Sequence, residues 1–461
     1  MPTETRTNAP LRSLPGLLAE HPAVRAVVGR QPVVAVPQAA RAIFVASVAD
    51  ATRRRPILVA VATAAEAERL AHDLPTYLGA DEHVPLPAIE LFPAWETLPF
   101  ERVSPNLETM SRRLRVTWRL RTGRHPDVVV APVRALVQRL GPHVGEIEPA
   151  VVQPGDRVDR EELVASLVAG GYRREYQVEA RGEVAVRGSI VDVYPATDDH
   201  PVRIDLWGDE VDRLSSFSVA DQRSTDDRGE VWLFPARELL PTPDVRARAE
   251  ALVRSEPWGR EQWERLAEGQ LFDGMESWLP WLAGDDRLLP DLLPEDGLVL
   301  AVEPRRARDR ARDLVDEELA LGETLAVTWG DRPDRDRPHL TLSFDRVLAE
   351  TPAGTTSVVG APEGPDTPHL AATTFDPVGG GADLASRLRS LQVEGYRVLV
   401  AADGAGSAGR LNDVLAEEGA AAVEVVVAPL ERGVVIPPIR LAVVGEGDLT
   451  GRRRVHRRAR G

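Results

Sequence analysis

Short apolar runs alternate with stretches of helical periodicity along most of the chain, which predicts an α/β protein. QPVVAV (31–36) reads as a buried strand, RAIFVASVADATRR (41–54) as a helix and PILVAVA (56–62) as a second strand. Over 64–74, Ala67, Leu70, Ala71 and Leu74 recur at helical spacing. DVVVAPVRALVQRL (127–140) repeats the strand-then-helix form, and LVLAVEP (298–304) is a further apolar run. Strands this continuously apolar are buried on both faces, so the pattern predicts a parallel sheet covered by helices.

The pattern changes near Gly145. VDREELVASLVAGG (158–171) predicts a helix with Asp159 at its N-cap, Glu162 three residues on, a buried stripe of Leu163, Val164, Leu167 and Val168, and a stop at Gly170-Gly171. EVAVRGSIVDVYP (183–195) and PVRIDLWGDEVDRLSSF (201–217) then show strand alternation. The second turns back at Gly208-Asp209 and sets Val202, Ile204 and Leu206 against Arg203, Asp205 and Trp207. A small α+β unit with one buried sheet face is expected there. Farther on, 331–369 is rich in Pro, Asp and Arg and is expected to include a linker. Residues 370–447 read as a separate small α/β unit.

Composition narrows the chemistry. At 461 residues the chain has room for about three domains. It has no cysteine, which removes disulfides, thiolate nucleophiles and Cys-ligated metals. All 56 basic residues are arginine. Without lysine there is no side chain to reach the β/γ-phosphates of a nucleotide from a Walker A loop, and no Schiff-base amine. The formal net charge of −16 disfavours a broad nucleic-acid footprint. The densest positive run is at the end, from Arg452 to Arg460, where a solvated tail and a DNA or acidic-partner contact are both open readings. No apolar run reaches the length of a membrane span, and the N-terminus lacks an apolar signal core, so a cytoplasmic protein without membrane contact is expected.

Two segments have the layout of nucleotide-binding motifs but not their atoms. The loop Pro37-Gln38-Ala39-Ala40-Arg41 joins a strand to a helix as a P-loop does, yet it has no Gly, Lys or hydroxyl. LVLAVEP has the form of a Walker B strand, but Val302 stands where Asp would hold Mg²⁺ and only Glu303 remains. Neither is expected to bind nucleotide. Gly404-x-Gly406-x-x-Gly409 follows a strand, but Glu424 lies too close behind it for a ribose acid, and a tight structural turn is the simpler reading. No HxH, HExxH or GxSxG spacing occurs, so no metal site, cofactor or catalytic residue is assigned. Arg173, Arg174, Arg181 and Arg187 cluster within 15 residues. They read either as an interface of carboxylate-binding forks or as a solvated face with Glu175, Glu179 and Glu183 as local partners.

Taken together, several segments resemble a known family. ELFPAWETLPFERVSPNLETMSRRLRVTWRL (90–120), DVVVAPVRALVQRLGP (127–142), GYRREYQVEARGEVAVRGSIVDVYP (171–195) and RIDLWGDEVDRLSSFSVADQRS (203–224) resemble the N-terminal region of the bacterial transcription-repair coupling factors (Mfd). VVGEGDLTGRRRV (443–455) resembles the segment leading to that family's polymerase-binding module. Val186-Arg187-Gly188 is shared with the excision-repair protein UvrB, but the five tyrosines do not form the Tyr-rich DNA-probing hairpin UvrB needs.

The resemblance implies a degenerate helicase-like (RecA/P-loop-like) parallel-sheet domain split by an α+β insert that docks UvrA, followed by a second small α/β domain. The expected plan is a disordered tail over 1–12, helicase-like parts over 13–145 and 238–352, and the UvrB-like insert over 146–237. A linker over 353–369, the small domain over 370–450 and a basic tail over 451–461 complete it. It also implies that Arg173, Arg174 and Arg187 act as forks for acidic groups on UvrA; of the neighbouring strand residues Ile190 and Val191, one is expected in the core, and Ile190 is assigned as the apolar centre. In full-length relatives this surface is thought to be masked by the C-terminal domain; a chain ending at Gly461 is expected to expose it. RNA polymerase and DNA would be reached only through family regions not found in these 461 residues. The expected role is non-catalytic recruitment in nucleotide-excision repair. The competing expectation is a nucleotide-dependent, DNA-remodelling helicase-like ATPase.

Overall fold

The structure is a computed structural model describing residues 9–81, 84–326, 328, 337–375 and 381–450. The front of the chain supplies β1 (Val33–Ala35), β2 (Ile57–Val61), β3 (Ile89–Leu91) and β4 (Val128–Pro132). A second group follows: β5 (Ala150–Val152), β6 (Arg173–Arg174), β7 (Glu183–Arg187), β8 (Ile190–Val193), β9 (Val202–Trp207), β10 (Glu210–Phe217), β11 (Ser224–Asp227) and β12 (Val231–Leu233). The chain then returns with β13 (Leu298–Val302) and β14 (Gly354–Val359). It ends in β15 (Thr373–Thr374), β16 (Arg397–Ala402), β17 (Glu424–Val427), β18 (Val434–Ile436) and β19 (Leu441–Gly445).

The first and third groups build one six-stranded sheet in the order β1-β14-β13-β2-β4-β3. Every pairing in it is parallel. β2, β4 and β13 are buried at every position, as strands between two helical layers must be. Because β13 and β14 sit between β1 and β2, the domain is one sheet interrupted in sequence, and the fold is the expected helicase-like α/β architecture.

Three sequence expectations need correction. The expected linker over 353–369 contains β14, an internal strand of the sheet. GTTSVV is half hydroxyl residues and sits among Pro and Gly, so it shows no continuous apolar run, yet β1 and β13 hydrogen-bond to it on both sides. The expected disordered tail over 1–12 ends in a helical turn, Ala9–Arg12, with Leu11 buried in the core. Finally, the strand β4 is followed by a single helical turn, Val133–Leu136, and not by a helix running to 140. The basic tail over 451–461 lies outside the described residues.

The insert is a six-stranded sheet, β11-β10-β9-β8-β7-β6, whose inner face packs on the helix Arg160–Ala169 and on the β12–β5 pair. Asp159 caps that helix by accepting the Glu162 N–H at 3.0 Å, and Gly171, at φ +96°, takes the chain out of it. Val168, expected in the buried stripe, is exposed; only Leu163, Val164 and Leu167 face the sheet.

The insert's exit is tied into the parent domain. Arg237 pairs with buried Glu276 and with Asp273, each at 3.0 Å. Glu238 is fully buried, binds Arg113 through two hydrogen bonds (2.8 and 3.1 Å), and accepts the Trp95 indole N–H at 2.7 Å. Buried His143 accepts the Leu240 N–H at 3.3 Å nearby; burial lowers its pKa to about 4.

The last unit has the sheet order β15-β18-β19-β16-β17, with β16, β17 and β19 parallel. Its inner face merges with the core of the first sheet: Leu399, Val434 and Leu441 share one apolar cluster with Val34, Ile43 and Leu74. After β16, Gly404 precedes the helix Ala405–Glu417, and the Asp403 N–H is taken by the Glu446 carboxylate at 2.9 Å.

Candidate functional site

Two places gather the residues singled out by sequence. The first is the outer face of the insert sheet. Register decides which side chains meet there, because alternate residues of a strand share a face. Arg187 pairs with Ile190, and Ala185 with Asp192, across β7 and β8. Ile190 pairs with Asp205, and Asp192 with Arg203, across β8 and β9. Arg173 pairs with Glu183 at the sheet edge. Arg173, Arg187, Ile190, Arg203, Asp205 and Trp207 therefore face the same way. Arg174, next to Arg173 on β6, alternates to the other face. The structure thus brings together three of the four sequence-assigned positions and separates Arg174.

The arginines on this face are not bare cations. Arg173 holds Glu183 at 3.0 Å. Asp192, only 1% exposed, receives Arg203 through two hydrogen bonds (2.7 and 2.9 Å) and also pairs with Arg187. Arg187 reaches Gln222 Oε1 at 3.2 Å as well. One buried carboxylate thus orients two guanidinium groups, fixing their planes and leaving Arg187 partly open to solvent. The orientation of Arg187 is thus set internally before any partner arrives.

Sequence reasoning left Arg203 and Trp207 out of the site. Trp207 is 83% exposed at the end of β9, two residues beyond Asp205 and one strand from Ile190. A tryptophan this open is uncommon, and aromatic and arginine side chains dominate protein-binding hot spots. The signal was present in the alternation of 202–207, which already set Trp207 on the outer side.

The second place is the loop after β1. Pro37 precedes a 3-10 turn, Gln38–Ala40, and the helix Arg41–Ala51 follows. Arg41 Nη2 donates to Glu303 Oε1 at 2.6 Å, joining the start of this helix directly to the residue that follows β13. Val302 is buried at the end of β13. The cleft beside them is a cavity of about 50 Å³ lined by Gln38, Arg41, Glu66, Asp73, Glu431 and Arg432, among others. Small-molecule sites typically run ~300–1,000 Å³.

Among the described residues, no group of three or more His, Asp or Glu side chains is placed to hold a metal ion. No described helix is long and apolar enough to cross a membrane.

Comparison with known proteins places the insert first. Residues 151–239 match the UvrB interaction domain family. The transcription-repair-coupling factor of Mycobacterium bovis is 35% identical over 90% of this chain, covering 37% of that protein. That of Bacillus subtilis is 30% identical over 68% of this chain and 27% of its own length. That of Myxococcus xanthus is 35% identical over 58% of this chain and 23% of its own length. The chain thus spans well under half the length of the curated relatives it matches.

Proposed function

Taking as premise that this chain corresponds to the N-terminal portion of the transcription-repair-coupling factors, we propose that it serves transcription-coupled nucleotide-excision repair by docking UvrA on the outer face of its insert. The observation that carries this reading is the grouping of Arg187, Ile190 and exposed Trp207 on one sheet face whose reverse side carries the insert's apolar core. Trp207 and Ile190 supply apolar contact. Arg187 and Arg173, held in place by Asp192 and Glu183, supply directed N–H donors to carboxylates or carbonyls of the partner. The role is recruitment without chemistry. What supports this is that the loop before Arg41 has no Gly or Lys, that Val302 stands where an Asp would hold magnesium, and that Arg41 and Glu303 are occupied with each other at 2.6 Å.

The test is titration of UvrA against the wild-type chain and against Arg173→Ala, Arg187→Ala and Trp207→Ala. Binding by the wild type, weakened by about 2 kcal/mol or more in at least one of the latter two, is expected. Unchanged affinity in all three removes this face from consideration. Magnesium-dependent ATP turnover that copurifies with the chain and is lost in Arg41→Ala sinks the non-catalytic part.

A further inference from the structure

The cavity beside Arg41 is small because another part of the chain fills the cleft. Segment 429–433 of the C-terminal α/β unit lies across the helix Ala64–Leu78. Thr76 Oγ1 donates to the Pro429 carbonyl at 2.9 Å, and the Glu431 N–H donates to Asp73 Oδ1 at 2.9 Å. Glu431 and Arg432 complete the cavity wall opposite Gln38 and Arg41. On the neighbouring edge, the Leu370 N–H donates to the Ala35 carbonyl at 2.9 Å, and the Ala35 N–H to the Pro368 carbonyl at 2.8 Å. The two units also share a continuous apolar core.

We infer that the former nucleotide cleft is a socket for segment 429–433, which latches the C-terminal α/β unit onto the helicase-like sheet and holds the two closed without nucleotide. The position is telling. In a nucleotide-driven pair of α/β domains, closure depends on a ligand whose phosphates bridge them. Here backbone groups of the second unit make that bridge through two side chains of the first, so closure needs no ligand. The latch does not rest on the docking proposal, since it lies on a different domain and shares no residue with the insert face.

The socket also has a titratable floor. Asp73 is pushed up to about 7, chiefly by burial, with the Glu431 N–H opposing that shift. The groups that face it are Arg69 and Tyr77 on its own helix, Glu431 and Asp448 from the C-terminal unit, and Arg41, Glu66 and Arg432 around the cavity. An acid whose pKa is higher in the folded than in the unfolded state favours the folded form at low pH. The latch is therefore tightest when Asp73 is protonated and loosens as pH rises through about 7.

Because the chain has no cysteine, two can be placed at will. Spin labels at Arg53→Cys and Glu417→Cys, both exposed and one on each unit, report their separation. A single narrow distance at pH 6, unchanged by Mg-ATP, is expected, with broadening at pH 8.5 that Asp73→Asn abolishes. In hydrogen exchange, Thr76→Val, nearly isosteric, is expected to speed the Glu431 and Gly433 amides at least fivefold while leaving Val184 and Val191 in the insert unchanged. A broad distance distribution at pH 6, a shift on adding Mg-ATP, or exchange at 429–433 that is as fast as in an unfolded chain overturns the latch. So does an Asp73→Asn profile identical to wild type. Loss of UvrA binding in any insert variant leaves these readouts untouched and so separates the two proposals.

Discussion

The insert face and the cleft use the same chemistry to opposite ends. In the cleft, Arg41 grips Glu303 at 2.6 Å beneath a wall supplied by Glu431 and Arg432. On the insert, Arg187 and Arg203 grip Asp192, but Ile190 and Trp207 beside them are left facing outward. One ion pair closes a site and the other prepares one. Arginine paired with carboxylate is therefore not itself the mark of an interface. What marks it is whether oriented donors stand next to uncovered apolar surface.

The sharpest way to break this contrast is to remove the shared acceptor. Asp192→Ala leaves two guanidinium groups without their buried carboxylate and is expected to destabilise the insert by about 3 kcal/mol, read from the denaturant midpoint, with loss of UvrA binding. Glu303→Ala is its counterpart in the cleft. It is expected to lower stability by about 2 kcal/mol or less, because Glu303 is partly exposed, and to leave UvrA affinity unchanged.

A pH series distinguishes the insert's root from the latch. His143 has its pKa lowered to about 4 by burial, so its contribution is fully present above about 6.5 and is lost as pH falls through about 4. Asp73 acts in the other direction, favouring the folded state as pH falls below about 7. Exchange-monitored stability is thus expected to weaken around residues 143 and 240 on acidification while segment 429–433 tightens. His143→Gln, which keeps an acceptor, is expected to flatten the first trend only.

Smaller effects sharpen the boundary of the docking face. Trp207→Ala is expected to cost UvrA affinity about 2 kcal/mol, roughly 30-fold, with a change in folding stability under about 0.5 kcal/mol. Arg174→Ala, on the opposite side of its strand, is expected to change either quantity by less than about 0.5 kcal/mol. An Arg174 effect as large as that of Arg187→Ala would show that the face was drawn on the wrong side of the sheet.

Much of the fold could be read in advance because its strands announce themselves. VVVAP and LVLAV are buried throughout, and a strand buried on two sides has little alternative but to be apolar. β14 escaped for the converse reason. Its threonines and serine suit a strand but break the apolar run, and only its neighbours β1 and β13 reveal its place. The docking face was partly readable. Alternation sorts residues along one strand, so Trp207 could be placed outside. It does not say which strands lie side by side, and so it could not bring Asp192 between Arg187 and Arg203; Arg173 and Arg174 stayed together because the two-residue β6 is too short to show an alternation of its own. The cleft shows the same limit. The missing lysine was visible, but the loop that fills the space comes from more than 350 residues away, at Pro429 and Glu431.

The anchoring of Arg237 and Glu238 bears on mechanics. A module joined to its host by slack chain can turn to meet a partner and carries no strain back. Here the exit segment after β12 is riveted through Glu276, Arg113 and Trp95, so the insert behaves as a bracket and not as a tether. Whatever grips its outer face is held at a set angle to the parallel sheet, and a pull on that partner is delivered to the host's core and not absorbed by a swivel.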